Sequence, residues 1–430
     1  MTRQLRTIVL PWTEVAGCAR LLRKEQRFGR NTARGSNSSL DAPLLIDGVS
    51  IIELSEGLAA PYAARLLGDL GADVLKVETP AGDPTRRREP FWPGEQGRDA
   101  SALFAYLNAG KRRATLDFDA RSDIEKLHVL LRDAAILVEN QPVGRLQALG
   151  IDGPSLRGRH PHLVVLSINP FGRNGPLIES PATDFILQHR AAFAYGMARP
   201  VDDPASRGPL AGADHEGPLA VGVTGAMAAM WGLLVAQAGG TAPHIDLASY
   251  DFYSLIAFDA LAQWLAGERA FSRHRIQREG SEAAGGLTWI LPCAGGWVMV
   301  SPREQHQWDR WVDLLGNPSW SRDASFCGTR VDRRRNWFEL QACMSEWTET
   351  LPPEEVARQA QNVSVACFPV STPSESLRNA QLQHRRFFDR LVSPAGAETS
   401  VPGLPFRVEV EGRGCPTAGP HPPSVGPQCG

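Results

Sequence analysis

The residues with the clearest chemical potential form the tripeptide Asp214, His215 and Glu216, which directly precedes a long stretch without charge. A carboxylate can attack an acyl group as a nucleophile, and a histidine can act as a general base near neutral pH. The apolar stretch predicts a helix from about Leu219, so Glu216 would lie near a helix N-terminus, where the macrodipole favours negative charge. The alternative is an exposed polar loop without a catalytic role.

A second candidate site is the turn that follows the predicted strand Val49 to Leu54. Gly57 permits close approach of the backbone, and Pro61 suits a helix start because it has no amide hydrogen to satisfy. The free amides of a first helical turn attract a phosphate or a carboxylate. Lys111 and Arg112 are candidate contacts for such a phosphate, although a basic pair beside a strand is also typical of a solvated edge.

Other standard sites are not indicated. The sequence has no GxGxxG after its first predicted strand and no Walker A, HExxH or GxSxG motif. Its seven cysteines are scattered without CxxC spacing. This pattern predicts neither a metal site nor a disulfide framework, and it fits reduced thiols in a cytoplasm. His160 and His162 have the chemistry to chelate a metal, but a solvated turn is the favoured interpretation.

The composition is that of an ordinary globular protein. With 430 residues, of which 43% are hydrophobic and 21% charged, the chain can bury a large core in one or two domains. A formal net charge of -2 gives no field that would attract nucleic acid or an anionic membrane, so we expect neither as a partner. The uncharged stretch 218–239 is just long enough to span a bilayer, but its small residues favour a buried, closely packed helix.

Short β-rich runs alternate with helical stretches along the first half of the chain. Val49 to Leu54 is a predicted strand, Ala59 to Leu70 a helix, and Asp73 to Val77 a second strand, which together form a βαβ unit. Ala134 to Val138 and Leu163 to Ile168 repeat the strand pattern. The prediction is an α/β fold with a parallel, Rossmann-like sheet that binds ligands at the carboxyl ends of its strands.

Changes in composition predict the domain organisation. The N-terminal region is basic and should form a poorly ordered extension, whereas the C-terminal region is rich in Pro and Gly. The expected divisions are the extension at 1–43, a large α/β domain at 44–250, a smaller α+β domain at 251–355, a return segment to the large domain at 356–408 and a tail at 409–430.

Several motifs occur in order along the chain and resemble those of family III CoA-transferases, which include formyl-CoA transferase, carnitine-CoA transferases and α-methylacyl-CoA racemase. They are the run Leu45 to Arg87, Asn108 to Arg112, Val138-Glu139-Asn140, Phe171-Gly172 to Gly175-Pro176, Thr224-Gly225, His244-Ile245-Asp246 and Gly296-Trp297-Val298. The resemblance implies a transferase whose large domain binds CoA or an acyl-CoA as substrate, with no covalently bound cofactor. It also implies an interlocked dimer, either a homodimer or a heterodimer with a paralogue.

The resemblance further implies which residues contact CoA. Leu116 and Asn140 match family positions that line the CoA site. Leu58 and Ala59 occupy the turn that contacts CoA, next to Gly57, and Lys111 lies in a family motif.

Two other family positions have lost a basic residue. The arginine that often follows the motif asparagine by eight residues is Ala148, and the basic residue after the Lys-x-Glu motif is Thr79. A charged hydrogen bond contributes about 1.5–3 kcal/mol. We therefore expect weaker CoA binding unless other residues replace these contacts.

The family's nucleophile position is also changed. In the transferases an aspartate four residues before a glycine attacks the thioester and forms a mixed anhydride. Counting back from Gly225 gives Val221, which has no heteroatom, and the racemase histidine falls at Thr183. Asp184 matches an acidic position near the family's active site, although an aspartate that opens a helix is also an ordinary feature. The remaining candidates are Asp214, His215 and Glu216.

Three functions are compatible with these residues. The first is a divergent enzyme that acts on an acyl-CoA or a related thioester, with the tripeptide around His215 supplying the catalytic group. The second is a catalytically silent subunit paired with an intact paralogue. The third is a tailoring enzyme on this scaffold that no longer uses CoA.

Overall fold

The computed structural model describes residues 45–407 except 98, 198–205, 207, 259–264 and 266–286. The expected extension at 1–43 and the tail at 409–430 lie outside the described residues. The strands are β1 (Ser50–Leu54), β2 (Asp73–Glu78), β3 (Arg112–Thr115), β4 (Ile136–Glu139), β5 (Val164–Asn169), β6 (His244–Ala248), β7 (Trp289–Cys293), β8 (Gly296–Ser301), β9 (Ala366–Pro369), β10 (Phe388–Val392) and β11 (Glu398–Pro402).

The α-helices alternate with these strands in the first half of the chain and dominate the second half. They are α1 (Ala59–Asp69), α2 (Ala102–Leu107), α3 (Arg121–Arg132), α4 (Val143–Ala148), α5 (Gly153–Arg159), α6 (Asp184–Arg190), α7 (Phe193–Met197), α8 (Glu216–Gln237), α9 (Ser249–Ile256), α10 (Gln305–Leu314), α11 (Ala324–Cys327), α12 (Arg330–Arg335), α13 (Trp337–Thr348), α14 (Pro353–Asn362), α15 (Pro373–Arg378) and α16 (Ala380–His384). Short 3-10 helices occupy Pro84–Arg87 and Ser319–Arg322.

Six strands form one parallel sheet in the order β3-β2-β1-β4-β5-β6. Each neighbouring pair runs in the same direction, so the predicted parallel α/β fold is confirmed. The strand order reverses between β1 and β4, because the chain crosses from one side of β1 to the other after β3. Ligands of open α/β sheets bind at the carboxyl ends of the strands at such a point.

Helices cover both faces of the sheet. On one face, α3, α4 and α5 contribute Leu127, Leu146 and Leu156 to a buried cluster with Leu137 and Val165 of the strands. On the opposite face, α1 and α8 pack on each other and α8 packs on β5. Both faces are therefore buried, which suits a parallel sheet of continuous apolar strands.

Small residues allow α8 to lie close to α1. A Cβ atom on Gly222 would stand 2.7 Å from the Ala59 carbonyl oxygen, and one on Gly225 would stand 3.4 Å from the Ala63 Cβ atom. Because residue numbers rise together along this contact, the two helices run in the same direction. Their N-termini therefore lie at the same edge of the sheet, the carboxyl edge of its strands.

The helix α8 is long and apolar enough to cross a membrane by length and composition, and no other helix among the described residues is. Its glycine-bearing face packs inside the α/β unit, where Gly232 lies against Val164 of β5. This face is buried as expected, whereas Met227 and Trp231 on the other side of the helix are exposed.

The described chain divides into two compact units. The first contains the described residues up to Pro181, His215–Ser249 and those from Arg390 on; the second contains Ala182–Asp214 and Tyr250–Asp389. The second unit differs from the expected small domain at 251–355 in two ways. It includes the segment before α8, and the return to the first unit occurs at Arg390 and not at 356.

The core of the second unit explains where it ends. The strands β7, β8 and β9 form an antiparallel sheet around the buried Trp289. Val356 and Ala360 of α14 and Cys367 of β9 are fully buried in the same core. Residues beyond 355 therefore complete this core.

Candidate functional site

The β1–α1 turn lies at the point where the strand order reverses. The Glu56 amide donates to Asn140 Oδ1 (3.0 Å), and Asn140 Nδ2 donates to the Glu56 carbonyl oxygen (2.7 Å). Gly57 follows with a φ of +81°, a conformation that side chains with a Cβ rarely adopt. The side chain of Asn140 therefore fixes the start of the turn through its backbone.

A buried ion cluster supports the turn from below. Lys76 Nζ lies 2.9 Å from Glu53 Oε1 and 3.0 Å from Asp83 Oδ2, and it donates to the Ser55 carbonyl oxygen at 2.7 Å. Burial opposes the charged form of Lys76, but Glu53 and Asp83 outweigh it and raise the pKa of this lysine. The Gly57 amide donates to the other oxygen of Asp83 at 3.4 Å.

Lys111 belongs to the same cluster. Its Nζ atom lies 2.7 Å from Glu53 Oε2 and donates to the Pro61 carbonyl oxygen (2.8 Å) and to Asn108 Oδ1 (2.9 Å). Two of these contacts are hydrogen bonds, and the contact with Glu53 is an ion pair. The side chain of Lys111 lies inside the protein beneath the turn, a position that does not favour the predicted phosphate contact. Burial, together with Lys76 and against the effect of Glu53, lowers the pKa of Lys111 to about 8.

The first turn of α1 presents unsatisfied amides. Leu58 is the N-cap residue and makes no capping hydrogen bond through its side chain, and no acidic residue lies in the first turn. Leu58 and Ala59 are half-buried. Helix N-termini of this kind attract anions, so the turn Gly57–Ala59 fits the role expected of it.

A cleft of 590 Å³ lies at this edge of the sheet. Two guanidinium groups line it, those of Arg87 and Arg145, together with the carboxylates of Glu56, Asp117 and Asp119. Burial, followed by the nearby Asp83, raises the pKa of Glu56. The cleft thus combines cations with groups that accept hydrogen bonds.

The structure also places Leu116, a predicted CoA position, and Ala148, where the family's arginine is lost. Leu116 is only 6% exposed and packs in the apolar core, and it is not among the residues of the cleft. Ala148 is exposed on α4, and Arg145 lies one helical turn before it with its guanidinium 5.6 Å from the Phe118 ring centre. Arg145 and Arg87 line the cleft but were not predicted as contacts, because neither stands at a family position where a basic residue was expected.

Asp214 and His215 form a turn ahead of the helix, and Glu216 is its first residue. The helix α8 begins at Glu216, three residues before the expected start, and Glu216 is exposed. His215 is the N-cap residue with a φ of +70°. Asp214 is exposed and is the last residue of its segment in the second unit. Val221 is fully buried.

The position of Glu216 follows from the packing of its helix. Six residues separate Glu216 from Gly222, which contacts Ala59, and this corresponds to about 9 Å along a helix axis. Glu216 therefore lies at the carboxyl edge of the sheet, beyond the level at which α1 begins.

Asp184 lies in a hydrogen-bonded group within the second unit. Its Oδ1 atom accepts from the Tyr253 hydroxyl, and its Oδ2 atom accepts from Gln188 Nε2 at 2.7 Å. The Gly212 amide donates to Gln188 Oε1 at 2.6 Å, which ties the segment before Asp214 to α6. The N-cap of α6 is Thr183, not Asp184. Gln188 was not predicted, since its partner Gly212 is 24 residues away in sequence.

A second, partly buried polar group links strands β4, β5 and β6. Arg173 Nη1 donates to Glu139 Oε1 at 2.9 Å, and the Arg173 amide donates to Asp246 Oδ2 at 3.0 Å. Ser167 bridges Glu139 and His244 Nε2. Burial raises the pKa of Glu139 and lowers the pKa of His244. These contacts hold the loop after β5 against β4 and β6.

Metal binding is not indicated by this part of the chain. Within the ranges that the structure describes, no three His, Cys, Asp or Glu side chains are placed to hold a metal ion. His160, which was interpreted as a solvated turn residue, is 7% exposed and stacks on His128.

A parallel α/β sheet with an uncapped helix N-terminus and a cleft at its carboxyl edge is typical of proteins that bind small molecules at that edge. Comparison with known proteins identifies the group within this class. Residues 46–426 match CoA-transferase family III, and the chain belongs to that family. Relatives across the family are named as CoA-transferases, and the chain is a CoA-transferase-like enzyme.

Three similar proteins illustrate the range of the family. The chain is 29% identical to the succinyl-CoA:(R)-benzylsuccinate CoA-transferase subunit BbsE of Thauera aromatica, over 87% of this chain and 92% of that protein. It is 27% identical to a succinate--glutarate CoA-transferase of Agrobacterium fabrum, over 84% and 88% of the two chains. The crystal structure of a CAIB/BAIF family protein from Brucella suis is similar with a TM-score of 0.75 and 25% identity, over 89% and 96%.

Proposed function

We propose that this protein transfers CoA from an acyl-CoA to a carboxylic acid, with Glu216 as the carboxylate that accepts the acyl group. The observation that carries this proposal is the exposed position of Glu216 at the N-terminus of α8, on the edge of the sheet that holds the β1–α1 turn. Val221, at the family's nucleophile position, is buried and has no attacking atom. Asp214, His215 and Asp184 are kept as alternative candidates for the catalytic group.

The proposed steps balance without an oxidant or a net proton transfer. The Glu216 carboxylate attacks the thioester carbonyl, and the C–S bond breaks to give a mixed anhydride and CoA thiolate. The thiolate attacks the glutamyl carbonyl, which releases the donor acid and leaves CoA on Glu216 as a thioester. The acceptor carboxylate attacks this thioester, and CoA then attacks the acceptor carbonyl of the new anhydride, which restores Glu216.

The CoA is proposed to lie in the cleft beside the turn Gly57–Ala59. The unsatisfied amides of the turn would receive a negatively charged group, and Gly57 permits close approach. Arg87 and Arg145 are proposed to bind phosphate groups in place of the basic residues lost at Thr79 and Ala148. A planar guanidinium can bind a phosphate through two parallel hydrogen bonds.

The test begins with dicarboxylic acids because the names of two relatives each contain two of them. These are succinate with benzylsuccinate and succinate with glutarate. Purified protein is incubated with succinyl-CoA and a series of dicarboxylates, and the CoA esters formed are identified by mass spectrometry. Glu216→Gln should lower transfer by at least about 10³-fold, whereas the matched variant Asp214→Asn should retain most of it. Wild-type transfer by Glu216→Gln would remove the proposal.

A second candidate function is that of a catalytically silent subunit in a heteromeric CoA-transferase. Val221 favours it, as does the relative from Thauera aromatica, which is named as a subunit. Co-expression with a paralogue that keeps an aspartate at the corresponding position would test it. Transfer that appears only in the co-purified complex, and survives Glu216→Gln, would support this function over the first. A tailoring enzyme that has abandoned CoA would instead show no heat of CoA binding by calorimetry.

A dimer is proposed for either function. The helix α8 exposes large apolar side chains at helical spacing, and the exposed set is Val223, Met227, Trp231 and Leu234. Each of these side chains is 52–66% exposed, and exposed apolar patches of this kind mark protein interfaces. The partner is a second copy or a paralogue, in the interlocked arrangement that the family resemblance implies. A cytoplasmic location is proposed because Cys293, Cys327, Cys343 and Cys367 are free thiols.

A further inference from the structure

The two lysines beneath the β1–α1 turn hold opposite ends of it. Lys76 Nζ donates to the Ser55 carbonyl oxygen at 2.7 Å, at the start of the turn, and Lys111 Nζ donates to the Pro61 carbonyl oxygen at 2.8 Å, in the first turn of α1. One carboxylate joins the two ammonium groups, since the Glu53 oxygens lie 2.9 Å from Lys76 and 2.7 Å from Lys111.

We propose that Lys76 and Lys111 are positioning residues that hold residues 55–61 in the conformation that binds the acyl-CoA, without touching it themselves. This inference rests on the proposed function, which assigns acyl-CoA binding to the turn. The side chains of Lys76 and Lys111 are only 0% and 1% exposed, so the role proposed for them is not a phosphate contact.

The local sequence of the turn cannot fix its conformation alone. Gly57 has a positive φ and is intrinsically mobile in backbone conformation, and Leu58 provides no capping side chain. The contacts that restrain the turn come from elsewhere in the chain. They are Lys76 and Lys111, with the Asp83 and Asn140 side chains that accept from Gly57 and Glu56.

The direction of the first-turn amides depends on the Lys111 contact. An α1 carbonyl in the first turn is already an acceptor within the helix, and the ammonium supplies a second, charge-assisted hydrogen bond to the Pro61 oxygen. Removal of that donor leaves Glu53 Oε1 still paired with Lys76 and with the Ser55 hydroxyl, although Oε2 loses its ion pair. A substitution at Lys111 therefore removes one restraint on the turn and leaves the ion pair between Lys76 and Glu53 in place.

The test compares Lys111→Met with Arg132→Met, a control at the end of α3, whose side chain is 65% exposed. Steady-state transfer gives kcat and the KM for acyl-CoA, and hydrogen exchange of the unliganded protein reports the amides of residues 56–60. Lys111→Met should raise KM by about 10- to 100-fold, the equivalent of one charged hydrogen bond, with kcat nearly unchanged. Exchange at 56–60 should accelerate while exchange in α8 does not, and Arg132→Met should match the wild type in both measurements.

The outcomes separate this inference from the proposed function. Wild-type exchange at 56–60 in folded Lys111→Met overturns the positioning role, whatever the activity. If exchange at 56–60 is faster in Lys111→Met, the positioning of the turn is supported. If the wild type also neither binds CoA nor transfers it, the proposed function is overturned and the positioning role is not. If Lys111→Met does not fold, Lys111→Gln replaces it. The glutamine amide can still donate to the Pro61 carbonyl oxygen, so KM and exchange at 56–60 should rise by less than in Lys111→Met. If neither rises, the inference is contradicted.

Discussion

Gly222 of α8 lies directly against the main chain of Ala59 in α1, so that a Cβ atom at residue 222 would stand 2.7 Å from the Ala59 carbonyl oxygen. This close approach brings the helices that begin at Glu216 and Ala59 together at one edge of the sheet. The distance between Glu216, the proposed acyl acceptor, and the turn Gly57–Ala59, proposed to bind CoA, is therefore set by backbone packing. No direct bond between functional groups is needed.

Gly222→Ala should force α8 away from α1. The added methyl group meets backbone and the Tyr62 side chain at 3.0 Å, so we expect the free energy of unfolding to fall by about 1–3 kcal/mol, despite the better helix propensity of alanine. Urea unfolding measures this change. Gly144→Ala in α4 is the control, since a Cβ atom there has no neighbour within 4 Å and should leave stability equal or slightly higher. Equal stability of the two variants would contradict the close contact.

Val221→Asp should not restore an active centre. Val221 is fully buried in α8, and an unpaired carboxylate there should lower the free energy of unfolding by about 3–5 kcal/mol. Val223→Asp, on the exposed side of the same helix at 52% exposure, should change stability by no more than about 0.5 kcal/mol. Denaturant unfolding gives the free energy of unfolding of both variants, and a transfer assay gives their rate of CoA transfer. A gain of transfer by folded Val221→Asp would mean that residue 221 faces the substrate after all.

Stability should decrease in mild acid because of a buried histidine pair. His128 Nδ1 lies 3.3 Å from His160 Nε2, and burial, with Arg159 nearby, lowers the pKa of both imidazoles. Below about pH 6.5, the usual histidine pKa, the unfolded chain therefore binds more protons than the folded one, and the free energy of unfolding falls as the pH falls. Above that pH this contribution is fully present.

Thermal unfolding between pH 5 and 8 measures the effect. His160→Gln should flatten the dependence without removing it, because His244 is also buried and its pKa is also lowered. His306→Gln is the control at an exposed site away from the pair and should keep the wild-type slope. An unchanged slope in His160→Gln would show that the pair does not titrate between the two states.

The sheet was predictable because its signals are local. The strands around Ile52 and Leu75 are short apolar runs, each separated by a helix of ordinary length, and parallel order follows from that alternation. The start of α8 was misplaced because Pro218 was taken as lying before the helix. It lies in the first turn, where a backbone amide has no helical partner and its absence costs little.

The buried charges were not predictable, because their partners are distant in sequence. Lys111 looks like a surface residue until Glu53 and Pro61 are brought to it by the sheet and by α1. Asp184 and Tyr253 are 69 residues apart and meet only when α6 and α9 fold into the same unit. Pairing between elements, and not residue type, decides the role of each of these side chains.

The most direct measurement is to trap the covalent intermediate on α8. The protein is incubated with an acyl-CoA that it uses and then with hydroxylamine, which attacks a glutamyl thioester and leaves a hydroxamate in place of the side-chain carboxyl while CoA departs. Peptide mass spectrometry should locate the hydroxamate at Glu216 in the wild type and find none in a sample without acyl-CoA. A hydroxamate at Asp214 or Asp184, with Glu216 unmodified in a protein that transfers CoA, would contradict the account.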